Sequence, residues 1–165
     1  MAEAFNDLTL PVDRAARYAE VAAEIASVLD GEPNLTARMA TVASMLAASF
    51  DHYFWTGFYV VDPDKPGELV VGPYQGTLGC LRIAFGRGVC GTAAARRQTQ
   101  LVEDVHAFPG HIACDSRSNS EIVVPVFDKT GALLAVFDVD STDLAAFDAV
   151  DAEWLERILG ATFAL

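Results

Sequence analysis

Apolar side chains recur every three to four positions in two stretches near the start of the chain. Tyr18, Val21, Ala22, Ile25 and Leu29 share one helical face. After the break at Gly31-Glu32-Pro33, Leu35, Met39, Val42, Ala43 and Leu46 share another. Two amphipathic helices are expected within 12–49. The period then shortens to two. Tyr53 to Val61 reads as an aromatic strand, Asp62-Pro63-Asp64-Lys65-Pro66-Gly67 as a turn, and Glu68 to Val71 as the returning strand. Residues 72–92 are rich in glycine; a short helix over Thr92 to Arg97 and a short strand over Gln100 to Val102 follow. Asp104 to Ser120 is a loop of about 17 residues with little periodicity, a length that marks functional or disordered segments. Glu121 to Phe127 and Ala132 to Asp140 predict a second hairpin around Asp128-Lys129-Thr130-Gly131. A last helix within 144–162 turns Phe147, Val150, Trp154 and Ile158 inward. Helices, hairpin, irregular middle, hairpin, helix is the order of an α+β fold with an antiparallel sheet covered by helices.

The chain has 165 residues, the size of one domain, and 52% are apolar, so a core forms without disulfide staples. Its 11 Lys and Arg against 23 Asp and Glu leave a net charge of −12. That balance excludes nucleic acid and anionic membrane as expected partners, since both need a basic surface. Met1 to Leu10 lacks the basic start and apolar stretch of a secretion signal, and no segment has the length of a membrane span. A cytoplasmic protein is expected. The cysteines are three, Cys80, Cys90 and Cys114, an odd number that argues against a disulfide framework and for reactive or metal-binding thiols.

Asp138 and Asp140, two apart on a strand, point to one face, with Cα atoms about 6.6 Å apart. If Phe127 pairs with Ala132, Glu121 falls opposite Asp138, and three carboxylates gather at one end of an apolar hairpin. Pro125 stands against this register, because proline marks edges and bulges, and a bulge would turn Glu121 away. Two like charges about 7 Å apart repel by about 2.4 kcal/mol at an effective dielectric of about 20, enough to raise one pKa by more than a unit. The cluster therefore favours a bound cation or a carboxylic acid kept protonated near neutral pH. The alternative is a solvated strand end, which the apolar run Leu133-Leu134-Ala135-Val136-Phe137 argues against.

Cys90, in Gly86-Arg87-Gly88-Val89-Cys90-Gly91, stands just before the short helix, whose N-terminus should lower its pKa. The same stretch matches the dinucleotide-binding glycine pattern, but the helix after it is too short for a crossover. Cys114 lies in the long loop, where mobility lets it reach several partners; Cys80 follows Gly79. A zinc site drawn from Cys80, Cys90, His106, His111 and Cys114 has no matching ligand spacing, so no metal is expected. A Cys–His hydrolase using Cys114 is a further possibility. On the aromatic strand, Tyr53, Trp55, Gly57 and Tyr59 share one face and Phe54, Thr56, Phe58 and Val60 the other. One face is core, and the other can wall a pocket, with Gly57 leaving room for a ligand between rings.

Taken together, Trp55-Thr56-Gly57-Phe58-Tyr59, Gly72-Pro73-Tyr74-Gln75-Gly76, Phe85 to Ala93, Asp104 to Asp115 with its His-Ile-Ala-Cys-Asp ending, Ser118 to Pro125 and Asp138-Val139-Asp140-Ser141 strongly resemble the free methionine-(R)-sulfoxide reductases, a catalytic branch of the GAF domains. The resemblance covers nearly the whole chain and implies a single GAF domain over 1–165, with its catalytic core in 50–141. It implies a six-stranded antiparallel sheet flanked by helices, a homodimer, and no cofactor. The implied reaction reduces the R epimer of free methionine sulfoxide, as part of the response to oxidative stress. By resemblance Cys114 attacks the sulfoxide sulfur and becomes a sulfenic acid, Cys80 resolves it as a disulfide, and thioredoxin reduces that disulfide. Cys90 lies near the substrate, and the nucleophile is at the position of Cys90 or Cys114. Ionisation at a helix start favours Cys90; loop mobility favours Cys114, the assignment taken. Glu121 is the candidate proton donor, and Trp55, Tyr59, Glu121, Asp138 and Asp140 are candidate substrate contacts. The alternative is a sensory GAF domain that binds a small molecule without turnover.

Overall fold

The computed structural model describes residues 13–112 and 114–165. Helix α1 (Arg14–Val28) is capped by the Asp13 carboxylate and α2 (Leu35–Ser49) by the Asn34 side chain, each accepting a backbone N–H of the first turn. Both bury the stripes expected of them: Tyr18, Val21 and Ile25 from α1, Met39, Val42, Ala43 and Leu46 from α2. Leu35 is exposed, because it stands at the first helical position, ahead of the face that meets the sheet.

Six strands follow: β1 (Trp55–Asp62), β2 (Lys65–Gln75), β3 (Arg82–Ala84), β4 (Gln100–Val102), β5 (Ser120–Phe127) and β6 (Leu133–Ser141). They form one antiparallel sheet in the order β3-β2-β1-β6-β5-β4. Helix α3 (Gly88–Arg96) lies between β3 and β4, and α4 (Ala149–Phe163) ends the chain. The first hairpin is tighter than its sequence suggests. Asp62 pairs with Lys65, and the Asp62 carboxylate accepts the Asp64 N–H at 2.9 Å, so β2 starts at Lys65 and runs to Gln75. Strand β3 was not expected; three residues with one buried side chain, Ile83, carry too little period to read. Helix α4 starts at Ala149 because Asp148 and Asp151 form a reciprocal cap there. Its buried side is Asp151, Leu155, Ile158, Leu159, Thr162 and Phe163. Phe147 is buried ahead of the helix, while Trp154 and Val150 are only half-buried.

Period two along the central strands divides the interior into two layers. Phe58, Ile122, Val124, Phe137 and Val139 pack with α1, α2 and α4; the Phe58 ring lies 4.9 Å from Phe137 and 5.5 Å from Phe163. Trp55, Tyr59, Leu69, Val123 and Val136 face the other way, under Ile83 and the α3 residues Val89, Cys90, Ala93 and Ala94. Tyr53 is not on that second face. It precedes β1 and packs into the helix layer, its hydroxyl 2.6 Å from that of Tyr18. Gly57 does not leave space for a ligand either: a Cβ there would collide with Tyr74, its neighbour on β2.

Candidate active site

The second face of the sheet carries the acidic cluster, in a register that differs from the simple expectation. Glu121 lies opposite Asp140, and Asp138 opposite Val123. Two local features cause this. The turn is one residue longer, so that Phe127 pairs with Leu133, and Leu134 then bulges out, so that Val126 pairs with Ala135. Asp128 builds the turn, its Oδ1 accepting the N–H groups of Thr130 and Ala132. Either one-residue shift alone would send Glu121 to the helix layer; the two together restore the face. Pro125 sits where β5 has outrun β4, which pairs only with Glu121 to Val123, so on that side its missing N–H breaks no ladder.

Glu121 and Asp138 are buried, 5% and 4% exposed, and Asp140 is half-buried. The Asp138 Oδ1 atom is buried without a hydrogen-bond partner. Burial first, and then Asp138 and Asp140, push the Glu121 carboxyl far above the usual carboxylate range. Burial also raises Asp138 to about 6, and burial with Asp138 and Asp115 raises Asp140. The three carboxyls are therefore harder to ionise than separate carboxylates in water, Glu121 most of all.

Cys90 closes the hollow from α3, its Sγ 3.9 Å from Glu121 Oε1. The helix begins at Gly88 rather than Thr92, which puts Cys90 inside the first turn. Gly91 permits this, since a Cβ there would strike the Ala84 carbonyl of β3. The expected ionisation of Cys90 at a helix start does not occur. Burial, then the negative field of Asp138, Glu121 and Asp140, pushes its thiol pKa well up. Those effects oppose the helix end and outweigh it.

Cys80 and Cys114 are joined in a disulfide, Cα atoms 5.7 Å apart, across 34 positions of sequence. Asp115 secures the two loops that carry them: its carboxylate accepts from Thr77 Oγ1 at 2.8 Å and from Arg117 at 2.8 and 3.1 Å. The Arg117 guanidinium lies over the Phe54 ring at 4.9 Å. Trp55 forms a wall, its ring 5.6 Å from Tyr59 and 5.0 Å from Tyr74, with Nε1 donating to the Thr77 carbonyl. The hollow between these walls is narrow and opens to solvent at one side. It is lined by Trp55, Tyr59, Cys90, Cys114, Glu121, Asp138 and Asp140, with Cys80 behind Cys114.

The candidate catalytic and substrate-contact residues thus meet at one place, seven in the lining and Cys80 bonded to one of them. Asp115 was not among the candidate site residues, and His111 was considered only as a zinc ligand. His111 Nε2 lies 3.8 Å from Glu121 Oε2, and its place beside the Cys114 loop was the available signal. The five-residue zinc set is not assembled, because Cys80 and Cys114 bond each other and His106 Nε2 pairs with Asn119 Oδ1 at 3.2 Å. A different donor set is compact: Cys90, Glu121 and Asp138 offer ligand atoms all within 4.8 Å of one another.

A two-layered antiparallel sheet with its site between sheet, α3 and crossing loops defines the class. Residues 36–162 match the GAF domain family, and the chain is 47% identical to GAF domain-containing protein A of Dictyostelium discoideum over 87% of this chain and 88% of that one. It is 42% identical to the free methionine-R-sulfoxide reductase of Escherichia coli, over 86% and 84% of the two chains. The X-ray structure of free methionine-R-sulfoxide reductase from Neisseria meningitidis, in complex with its substrate, superposes with a TM-score of 0.86 at 48% identity, covering 93% of this chain and 92% of that one. The chain belongs to the GAF-domain family, in its free methionine-(R)-sulfoxide reductase branch.

Proposed function

We propose that this chain reduces free methionine (R)-sulfoxide to methionine, with Cys114 as nucleophile, Cys80 as resolving thiol and Glu121 as proton donor. The observation that carries the reading is the Cys80–Cys114 disulfide at the rim of a hollow floored by Glu121, Asp138 and Asp140. A sulfoxide oxygen leaves only when protonated, and a buried carboxylic acid supplies that proton as the Cys114 thiolate attacks sulfur. The hydroxyl passes from the substrate sulfur to the Cys114 sulfur as the S–S bond between them breaks, so methionine departs and Cys114 holds the oxygen as a sulfenic acid. The Cys80 thiol displaces it as water and forms the disulfide, and an external dithiol, for which we assign thioredoxin, reduces the disulfide to two thiols. Cys90 contacts Glu121 and, held as a thiol, is the poorer nucleophile.

Preference for the free amino acid follows from charge. Asp138, with its unpartnered oxygen, and Asp140 suit an ammonium group, which a peptide-bound residue lacks. The N–H groups of Gly88, Val89 and Cys90 at the start of α3 suit the carboxylate; that of Gly91 is taken by the Arg87 carbonyl at 3.0 Å. The methyl group rests on Trp55 and Tyr59. A cytoplasmic homodimer completes the proposal, on family resemblance. Among the described residues no helix is long and apolar enough to cross a membrane.

The deciding experiment offers separated R and S sulfoxides of free methionine with dithiothreitol and follows methionine by amino-acid analysis. Consumption of R alone, abolished in Cys114→Ser and steeply reduced in Glu121→Gln, is expected. Binding of either sulfoxide without methionine formation would instead make the chain a sensor.

A further inference from the structure

Cys90 is the one thiol outside the disulfide among the described residues, and reduction of the sulfoxide as proposed consumes only Cys80 and Cys114. Its sulfur faces two buried carboxyl groups, and the three ligand atoms lie within 4.8 Å of one another. Cys90 Sγ lies 3.9 Å from Glu121 Oε1. Tetrahedral zinc, with bonds of about 2.0–2.3 Å, holds its donors about 3.3–3.7 Å apart, so side-chain rotations that close each pair by at most about 1.5 Å assemble the set. Asp138 Oδ1 adds an independent sign, as a buried carboxyl oxygen with no donor to satisfy it. An ammonium group satisfies the charge of such a pocket but makes no use of a sulfur. Hard cations such as magnesium and calcium want an all-oxygen shell. A mixed sulfur and oxygen set selects a borderline or soft divalent ion.

We infer that the hollow binds one divalent ion of the zinc class through Cys90 Sγ, Glu121 and Asp138, and that the bound ion excludes the amino-acid substrate. The exclusion rests on reading the hollow as the sulfoxide site; the ion binding does not. Coordination replaces the Cys90 thiol proton, which passes to buffer, and no electron moves. Asp140, beside the set, adds negative field without being a ligand. Zinc released inside a cell would then hold the enzyme inactive by occupying the ammonium and proton-donor groups together.

The test uses the chelator-treated protein in its disulfide form, where Cys90 is the only thiol left, and cobalt(II) as the visible stand-in for zinc. A thiolate-to-cobalt charge-transfer band is expected on titration. It should vanish in Cys90→Ser and need about tenfold or more cobalt in Asp138→Asn. Zinc, and separately free methionine sulfoxide, should bleach it. No band in the wild-type protein, or a band surviving in Cys90→Ser, overturns the site; a band that methionine sulfoxide leaves untouched overturns the exclusion. The wild-type spectrum decides the first point even if a variant fails to fold. The sulfoxide assay on metal-free protein is read separately, so failure of the activity and failure of the ion site are distinguishable.

Discussion

The three thiols differ by surroundings, not by chemistry. Cys114 is exposed and Cys80 half-buried, while Cys90 is 4% exposed and faces carboxylates. Thiolate is the reactive form, and burial with negative neighbours suppresses it. After reduction, alkylation by iodoacetamide at neutral pH should therefore modify Cys114 first and Cys90 more than about tenfold slower; peptide mass spectrometry reads the order. Faster labelling of Cys90 would return it to the nucleophile's role. The direction of this shift was not legible in the sequence. Gly88-Val89-Cys90 announces a helix start, but the carboxylates that oppose it sit 31 to 50 positions further along, and only the sheet brings them under α3.

At the scale of elements, the hairpin of β5 and β6 carries the site, and its register depends on two compensating single residues. Deleting Leu134 removes the bulged residue and leaves Val126 opposite Ala135 and Glu121 opposite Asp140. Folding and sulfoxide turnover should therefore both survive the deletion. Loss of turnover in a folded deletion variant would mean that the bulge itself, and not the pairing beyond it, positions Glu121. The alternation along Glu121 to Phe127 and Leu133 to Asp140 was readable as strand, and so was the shared face of the three carboxylates. The bulge was not, because a turn of five residues with a bulge and a turn of four without one leave the same faces inside.

For the molecule as a whole, the layer away from the site is pinned by one buried charge. Asp151 of α4, with no exposed side-chain surface, accepts from Tyr18 at 2.6 Å, Arg14 at 2.8 Å, the Asp148 N–H at 2.9 Å and His52 at 3.1 Å. Burial alone would raise its pKa, but His52, Tyr18, the Asp148 N–H and Arg14 outweigh it and hold the carboxyl down to about 2 from 3.8. A folded pKa below the unfolded one stabilises the fold above the unfolded value. That contribution, about 2–3 kcal/mol, should disappear as pH falls from about 4 to about 2. Asp151→Ala should cost about 3–5 kcal/mol in urea unfolding at neutral pH, since it leaves Arg14, His52 and the Tyr18 hydroxyl short of an acceptor, and it should flatten the acid limb of the stability curve. An unchanged acid limb would take the pin away from Asp151. By itself the sequence determined the helices, the strands of both hairpins, the α+β class and the residues that carry chemistry, because period, turn residues and reactive side chains are local properties. The tertiary structure alone decided the strand order, the bulged register, the partner of each cysteine and the protonation of the buried acids, because each depends on groups that only packing brings within a few ångströms.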